Sequence, residues 1–237
     1  MVLVVHLIPV IPLSDSHPAG KFPFWVILII ALNVWVFFLE MTAPDMDAFI
    51  STYALIPANV NFSDFSTLIP FITSQFLHGG FLHIISNMLF LWIFGDNVEA
   101  RFGNFLFPFV YLASGVAGGL AQYVFMPDST IPMLGASGAV AGVLGAYFTW
   151  FGHHSVKTLV PIFGFFTVIN VPASIMLFYW IATQFISSFF SFSETMADVG
   201  GVAYFAHIGG FIFGWILAKI LPTRNKQPEL LREITNV

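Results

Sequence analysis

Ser137 and His207 each lie inside a long apolar run and are flanked by glycine: GASGAVAG around the serine and AHIGGFIFG around the histidine. A hydroxyl that can attack a carbonyl and an imidazole that can take its proton are the two halves of acyl-transfer chemistry. Polar and ionisable groups at membrane depth are costly and mark function by default. His83 and Asn87, four residues apart, share one helical face. They can donate hydrogen bonds to a developing oxyanion, joined by the Ser137 backbone N–H, which is unpaired at a helix start. No Asp or Glu lies in the middle of an apolar run, and Asp96 and Glu99 close the second run, far from Ser137. A Ser–His dyad is therefore expected rather than a triad completed by a buried acid.

Each residue also has a commonplace reading. Serine in a Gly-rich membrane helix usually packs, an intramembrane histidine can make a structural hydrogen bond, and Asn87 can bridge helices. His78 reads as a loop or rim residue, and His153 and His154 as polar loop residues. Glu99 and Arg101, two apart, read as a cap or loop pairing. His78, His83 and His207 could together offer three imidazoles to a metal. No HExxH and no intramembrane carboxylate accompanies them, so neither metal nor cofactor is expected.

The elements that must hold these residues are membrane helices. Of 237 residues, 58% are hydrophobic and 8% charged, with 30 Phe; a soluble domain carries about 25% charged residues. The chain reads as an all-α polytopic membrane protein. The absence of Cys excludes disulfides and thiol nucleophiles, and a net charge of −5 gives no reason to expect nucleic acid. A bilayer-crossing helix needs roughly 20 apolar residues. Six runs qualify: about Phe24 to Met41, Phe81 to Gly95, Phe105 to Phe125, Gly135 to Phe151, Val168 to Phe190 and Val202 to Leu221. Leu159 to Phe166 is apolar but broken by Pro161 and Gly164, and reads as a membrane-dipping connection. The N-terminal stretch lacks the basic segment of a signal peptide and reads as an interfacial or loosely packed arm.

Six crossings place both termini on one side. Lys21, Arg101, Lys157, Lys219, Arg224, Lys226 and Arg232 then all fall on that side, while the opposite connections carry Glu40, Asp45, Asp47, Asp64, Asp128, Glu194 and Asp198. The cationic side is cytoplasmic by the positive-inside rule. The second, fourth and sixth runs start at the outer face, so His83, Asn87, Ser137 and His207 converge in the outer half of the bilayer. His207 is placed about six residues, or roughly 9 Å, inside. Ser137, Gly138, Ala141, Gly142 and Gly145 share one helical face, and Ala203, His207, Gly210 and Gly214 another. Small residues at this spacing let two membrane helices approach closely enough for the serine and histidine to touch.

The strings HGGFLHIISNMLFLWIFGDNVEARFG (His78 to Gly103), GASGAVAGVLGAY (Gly135 to Tyr147) and AHIGGFIFG (Ala206 to Gly214) together resemble the rhomboid family of intramembrane serine proteases. The resemblance covers essentially all six runs. It implies a six-transmembrane-helix rhomboid-like bundle (24–221) between an N-terminal cytoplasmic or interfacial arm (1–23) and a short cytoplasmic tail (222–237). It also implies a serine endopeptidase of the cell membrane, with a site opening to the extracytoplasmic side and substrates that carry a transmembrane helix. Ser137 matches the nucleophile, His207 the general base, and His83 and Asn87 the oxyanion-stabilising pair. Glu99 and Arg101 match a structural polar pair, and His78 a histidine ending the first loop. Two positions depart. A Tyr often found four residues after the serine, against the imidazole, is Ala141 here, so another side chain, an aromatic of the fifth or sixth run, is expected to support His207. A Trp-Arg pair of the first outer loop is replaced by Ile69 and Pro70. The rival readings are an inactive relative that binds membrane helices and a small-solute transporter; intact Ser137 and His207 weigh against the first, and the lack of an inverted repeat against the second.

Overall fold

A computed structural model describes residues 11–162, 165–191 and 203–223. In chain order the elements are β1 (Ile11–Asp15), α1 (Phe24–Thr42), α2 (Met46–Tyr53), the single turn α3 (Pro70–Thr73), α4 (Phe81–Phe102), α5 (Leu106–Phe125), α6 (Ser137–Phe151), β2 (Ser155–Ile162), β3 (Phe165–Pro172), α7 (Ala173–Ser191) and α8 (Tyr204–Ile220). Short 3-10 turns at Pro57–Asn59, Phe65–Leu68 and Ser74–Phe76 complete the connection between α1 and α4.

The six long helices follow the six apolar runs. Gly103 follows α4 with a positive φ of 81°, which glycine adopts without strain. Two helices, α1 and α4, are both long and apolar enough to cross a bilayer unaided. Ser137–Phe151 and Tyr204–Ile220 are apolar but shorter. At 1.5 Å per residue α6 is about 22 Å long against a hydrocarbon core of about 30 Å. The bundle buries Phe94, Phe107, Tyr111, Leu144 and Tyr147 at its centre, while Leu82, Phe105, Phe109, Val124, Ile175 and Phe178 face outward. An exterior this apolar suits lipid rather than water.

The all-α expectation needs one correction. Three strands form an antiparallel sheet in the order β1-β2-β3, with Asp15 opposite Val156 and Ser155 opposite Pro172. In the stretch read as a membrane-dipping connection, the described residues are the end of β2 and the start of β3, paired as Ile162 with Phe165, and α7 starts at Ala173, five residues later than its apolar run. Thr167, Val168, Ile169 and Val171 are β-branched, which favours a strand there. The arm is likewise not loosely packed over residues 11–23. Asp15 Oδ2 accepts hydrogen bonds from the Tyr147 hydroxyl of α6 and from Asn97 Nδ2 of α4 (2.8 Å), with His154 Nδ1 3.3 Å away. Ala19 N donates to Asp96 (2.9 Å). His154 is therefore buried in this junction rather than a free polar loop residue. Burial, opposed by the Asp15 carboxylate, holds its imidazole below the usual range. The proposed tail beyond Thr223 and the start of the sixth run at Val202 lie outside the described residues.

Candidate active site

α6 and α8 cross in near backbone contact. A Cβ built on Gly210 would meet the Gly138 carbonyl oxygen at 2.0 Å, and one built on Gly214 the Gly142 carbonyl oxygen at 2.0 Å. With that approach the first residue of α6, Ser137, and the fourth of α8, His207, come together: Ser137 Oγ lies 2.8 Å from His207 Nε2. His207 is thus in the first turn of its helix, shallower along it than the apolar run implied, because Ala203 is the last residue before the helix starts.

The pair lines a cavity of about 420 Å³, to which α4 contributes His83, Asn87 and Phe90, and the connection before α6 contributes Met133, Leu134 and Gly135. All four residues singled out from the sequence, Ser137, His207, His83 and Asn87, line it. Asn87 Nδ2 is buried with no hydrogen-bond partner. Gly135 has φ 123°, and a Cβ there would come within 2.6 Å of His83 Nε2, so both the backbone and the imidazole require glycine. Ser137, which lines the cavity, opens α6 without a side-chain cap, so the first backbone N–H groups of the helix have no capping side chain.

The support for His207 comes from α7. Trp180 stacks at 5.7 Å between ring centroids with a 33° tilt, which is the aromatic of the fifth run that the loss of Tyr at Ala141 called for. A second partner escaped sequence reading: Gln184 Oε1 lies 2.7 Å from His207 Nδ1. Gln75 also lines the cavity and was missed. Its side chain lies over Gly115 and its Nε2 donates to the Phe71 and Leu112 carbonyls. A glutamine in an apolar run is indistinguishable by sequence from interhelical glue; the only signal for Gln184 was its spacing of four from Trp180.

The remaining candidates are structural. Glu99 accepts from Trp25 N and Val26 N (3.0 Å each), capping the start of α1 rather than pairing with Arg101. Arg101 sits 5.6 Å over the Trp150 ring. His78 is fully buried, not a rim residue, and its backbone N–H donates to Glu40 Oε2 (3.0 Å). Burial, then the nearby His83 imidazole, pushes His78 down to about 4. The three imidazoles of His78, His83 and His207 do not form a ligand cluster among the described residues. The one group there with ligand atoms within 4.8 Å of one another is Asp15, His17 and His154 at the other end of α6. Its carboxylate is already taken up by the Tyr147, Asn97 and His17 N–H donors, so it is a proton-bonded junction.

Comparison with known proteins gives the family. A rhomboid domain model matches residues 66–224. The chain is 29% identical over 229 residues to "Rhomboid protein 1, mitochondrial" of Saccharomyces cerevisiae, covering 93% of this chain and 60% of that protein. It is 30% identical over 155 residues to "RHOMBOID-like protein 6, mitochondrial" of Arabidopsis thaliana, covering 63% and 42%. It is 44% identical over 75 residues to "Rhomboid protease GluP" of Bacillus subtilis, covering 32% and 14%. The chain spans less than two thirds of the length of each of these relatives. The matched domain embraces both residues of the Ser137–His207 contact and the helix that carries His83 and Asn87, and the chain belongs to the membrane-embedded rhomboid family.

Proposed function

We propose that this chain is an intramembrane serine endopeptidase that cuts substrates carrying a transmembrane helix, with Ser137 as nucleophile and His207 as general base. The observation that carries the reading is the 2.8 Å approach of Ser137 Oγ and His207 Nε2 in a cavity that also holds His83 and the unpartnered Asn87 Nδ2. That distance is hydrogen-bond reach for a base to activate a hydroxyl.

In this mechanism His207 Nε2 takes the Ser137 proton as Oγ attacks the scissile carbonyl. His83, Asn87 and the backbone N–H groups at the start of α6 hold the oxyanion, a term worth roughly 3 to 4 kcal/mol per donor. His207 returns the proton to the leaving amine, and water then takes the same path to hydrolyse the acyl-enzyme. The short α6 fits this chemistry, since a helix that begins below the bilayer surface leaves room above it for water to reach Ser137.

The same reading takes the six long helices as six crossings of the cell membrane (24–221), with the arm 1–23 and the tail 222–237 cytoplasmic and the cavity opening outward. Its support is that Lys21, Arg101, Lys157 and Lys219 all lie at the ends of the elements remote from Ser137. The decisive experiment incubates the purified full chain with labelled single-span substrates beside Ser137→Ala. Cleavage by the unaltered chain alone supports the protease; equal behaviour of the two leaves the inactive helix-binding relative.

A further inference from the structure

His207 has two ring nitrogens, and the structure assigns the proton on each. Nε2 faces Ser137 Oγ and Nδ1 faces the side-chain amide of Gln184. Which end of that amide faces the imidazole follows from its other neighbours. The Thr183 hydroxyl donates its single hydrogen to the Trp180 carbonyl (2.6 Å), so towards Gln184 it can only accept. Gln184 Nε2 lies 3.0 Å from that oxygen and 3.2 Å from the Trp180 carbonyl. Two acceptors at one end of an amide require the NH2 group there, which leaves Oε1 towards His207. A carbonyl oxygen cannot donate, so Nδ1 carries the hydrogen. A neutral imidazole has one, so Nε2 presents its lone pair to the Ser137 hydroxyl.

We propose that Gln184 is a positioning residue that locks His207 into the Nδ1–H tautomer and turns its free lone pair onto Ser137. The pair is thereby a relay of three, Gln184–His207–Ser137, in which a neutral amide stands where soluble serine hydrolases use a carboxylate. The choice of amide follows from the surroundings. Gln184 and Thr183 are both buried, and an ionised carboxylate there would be costly without a cation to pair it. The amide dipole still favours the positive imidazolium that forms as Ser137 loses its proton. Trp180 and Gln184, one turn apart on α7, fix the ring plane and the ring hydrogen respectively. The catalytic consequence rests on the protease reading above; the hydrogen-bond wiring does not.

The test uses the full chain in detergent micelles and two readouts. Nitrogen-15 NMR of the imidazoles, with the His207 signals assigned from His207→Asn, is expected to show the Nδ1–H tautomer in the unaltered chain. Finding Nε2–H there overturns the proposal, and this spectrum needs no Gln184 variant to fold. In cleavage assays Gln184→Leu is expected to mix the tautomers and lower kcat about tenfold, the equivalent of one neutral hydrogen bond, with KM unchanged. Gln184→Glu is expected to recover kcat while moving the acidic limb of the pH–rate profile upward by about one unit, because a carboxylate favours imidazolium. A folded Gln184→Leu with unaltered kcat, or Gln184→Glu with an unmoved profile, overturns the role. If neither the unaltered chain nor Ser137→Ala cuts any substrate, the protease reading fails, and the spectrum still decides the wiring.

Discussion

Asn87 Nδ2 is a buried donor with nothing to donate to, a state that costs about 1 to 3 kcal/mol in a resting protein. It is also the state in which a donor can meet an oxyanion without first breaking a bond. Asn87→Ala is therefore expected to lower kcat by roughly 10²-fold while KM holds, since such a donor acts in the transition state; a change confined to KM would reassign Asn87 to substrate binding. Ser137→Ala and His207→Ala are each expected to abolish cleavage in a folded protein, and a fluorophosphonate is expected to label Ser137 only while His207 is present. Substrate-cleavage assays check the first statement, and adduct mapping by mass spectrometry the second. His78 makes a different prediction, about stability. Its folded pKa of about 4 lies below its ordinary 6.5, so the unfolded chain binds the extra proton between those values. Its contribution is full above about pH 6.5 and is lost as the pH falls towards 4, by at most about 3 kcal/mol. The titratable groups facing it are His83 and Glu40. Denaturant unfolding in micelles at pH 7 and 4.5 should show a smaller acid loss for His78→Leu than for the unaltered chain; equal losses would place the sensitivity on those neighbours.

Between residue and molecule stands the crossing of α6 and α8, which sets the Ser137–His207 distance. A methyl at Gly214 would overlap the Gly142 carbonyl oxygen, and one at Gly210 the Gly138 carbonyl oxygen. Gly214→Ala is expected to cost about 1 to 3 kcal/mol through forced separation of the helices. Because the proposed mechanism leaves the Ser137–His207 contact little slack, activity should fall more steeply than the melting temperature; a variant that melts earlier but cuts at the normal rate would show that the contact does not depend on this packing. This crossing was legible in the sequence because glycines at spacing four are rare without cause and because Ser137 and His207 share their faces. The long helices were legible as apolar runs, though the run that became α6 is shorter than a bilayer-crossing helix needs. The sheet was not. Nothing in IPLSD names a partner strand about 140 residues away, and the apolar, β-branched start of the fifth run suits a buried strand as well as a helix. That error displaced the start of α7 by five residues, while Gln184 stayed hidden because a glutamine in an apolar run reads equally well as interhelical glue. The junction at Asp15 was hidden likewise, since Tyr147 and His154 acquire meaning only once β1 is brought to them.

The whole molecule is polarised along the bundle axis. The N-termini of α4, α6 and α8 gather Ser137, His207, His83 and Asn87 at one end. The opposite end holds the sheet, the Asp15 junction, the Glu99 cap on α1, Arg101 over Trp150, and Lys219 over Trp215 at 3.5 Å. Each described cation lies at that second end. Charge asymmetry of this kind decides which end stays in the cytoplasm during insertion. The cavity holding Ser137 and His207 is then expected to face outward, and the sheet inward. The natural absence of Cys makes this testable with single cysteines and no background. Asp64→Cys sits in the exposed connection between α1 and α4, on the proposed outer face, and Lys157→Cys in β2, on the proposed inner face. In intact cells a membrane-impermeant maleimide is expected to label the first and not the second, and both after permeabilisation. Labelling of Lys157→Cys in intact cells would invert the molecule, and with it the side from which water and the cut substrate segment meet Ser137.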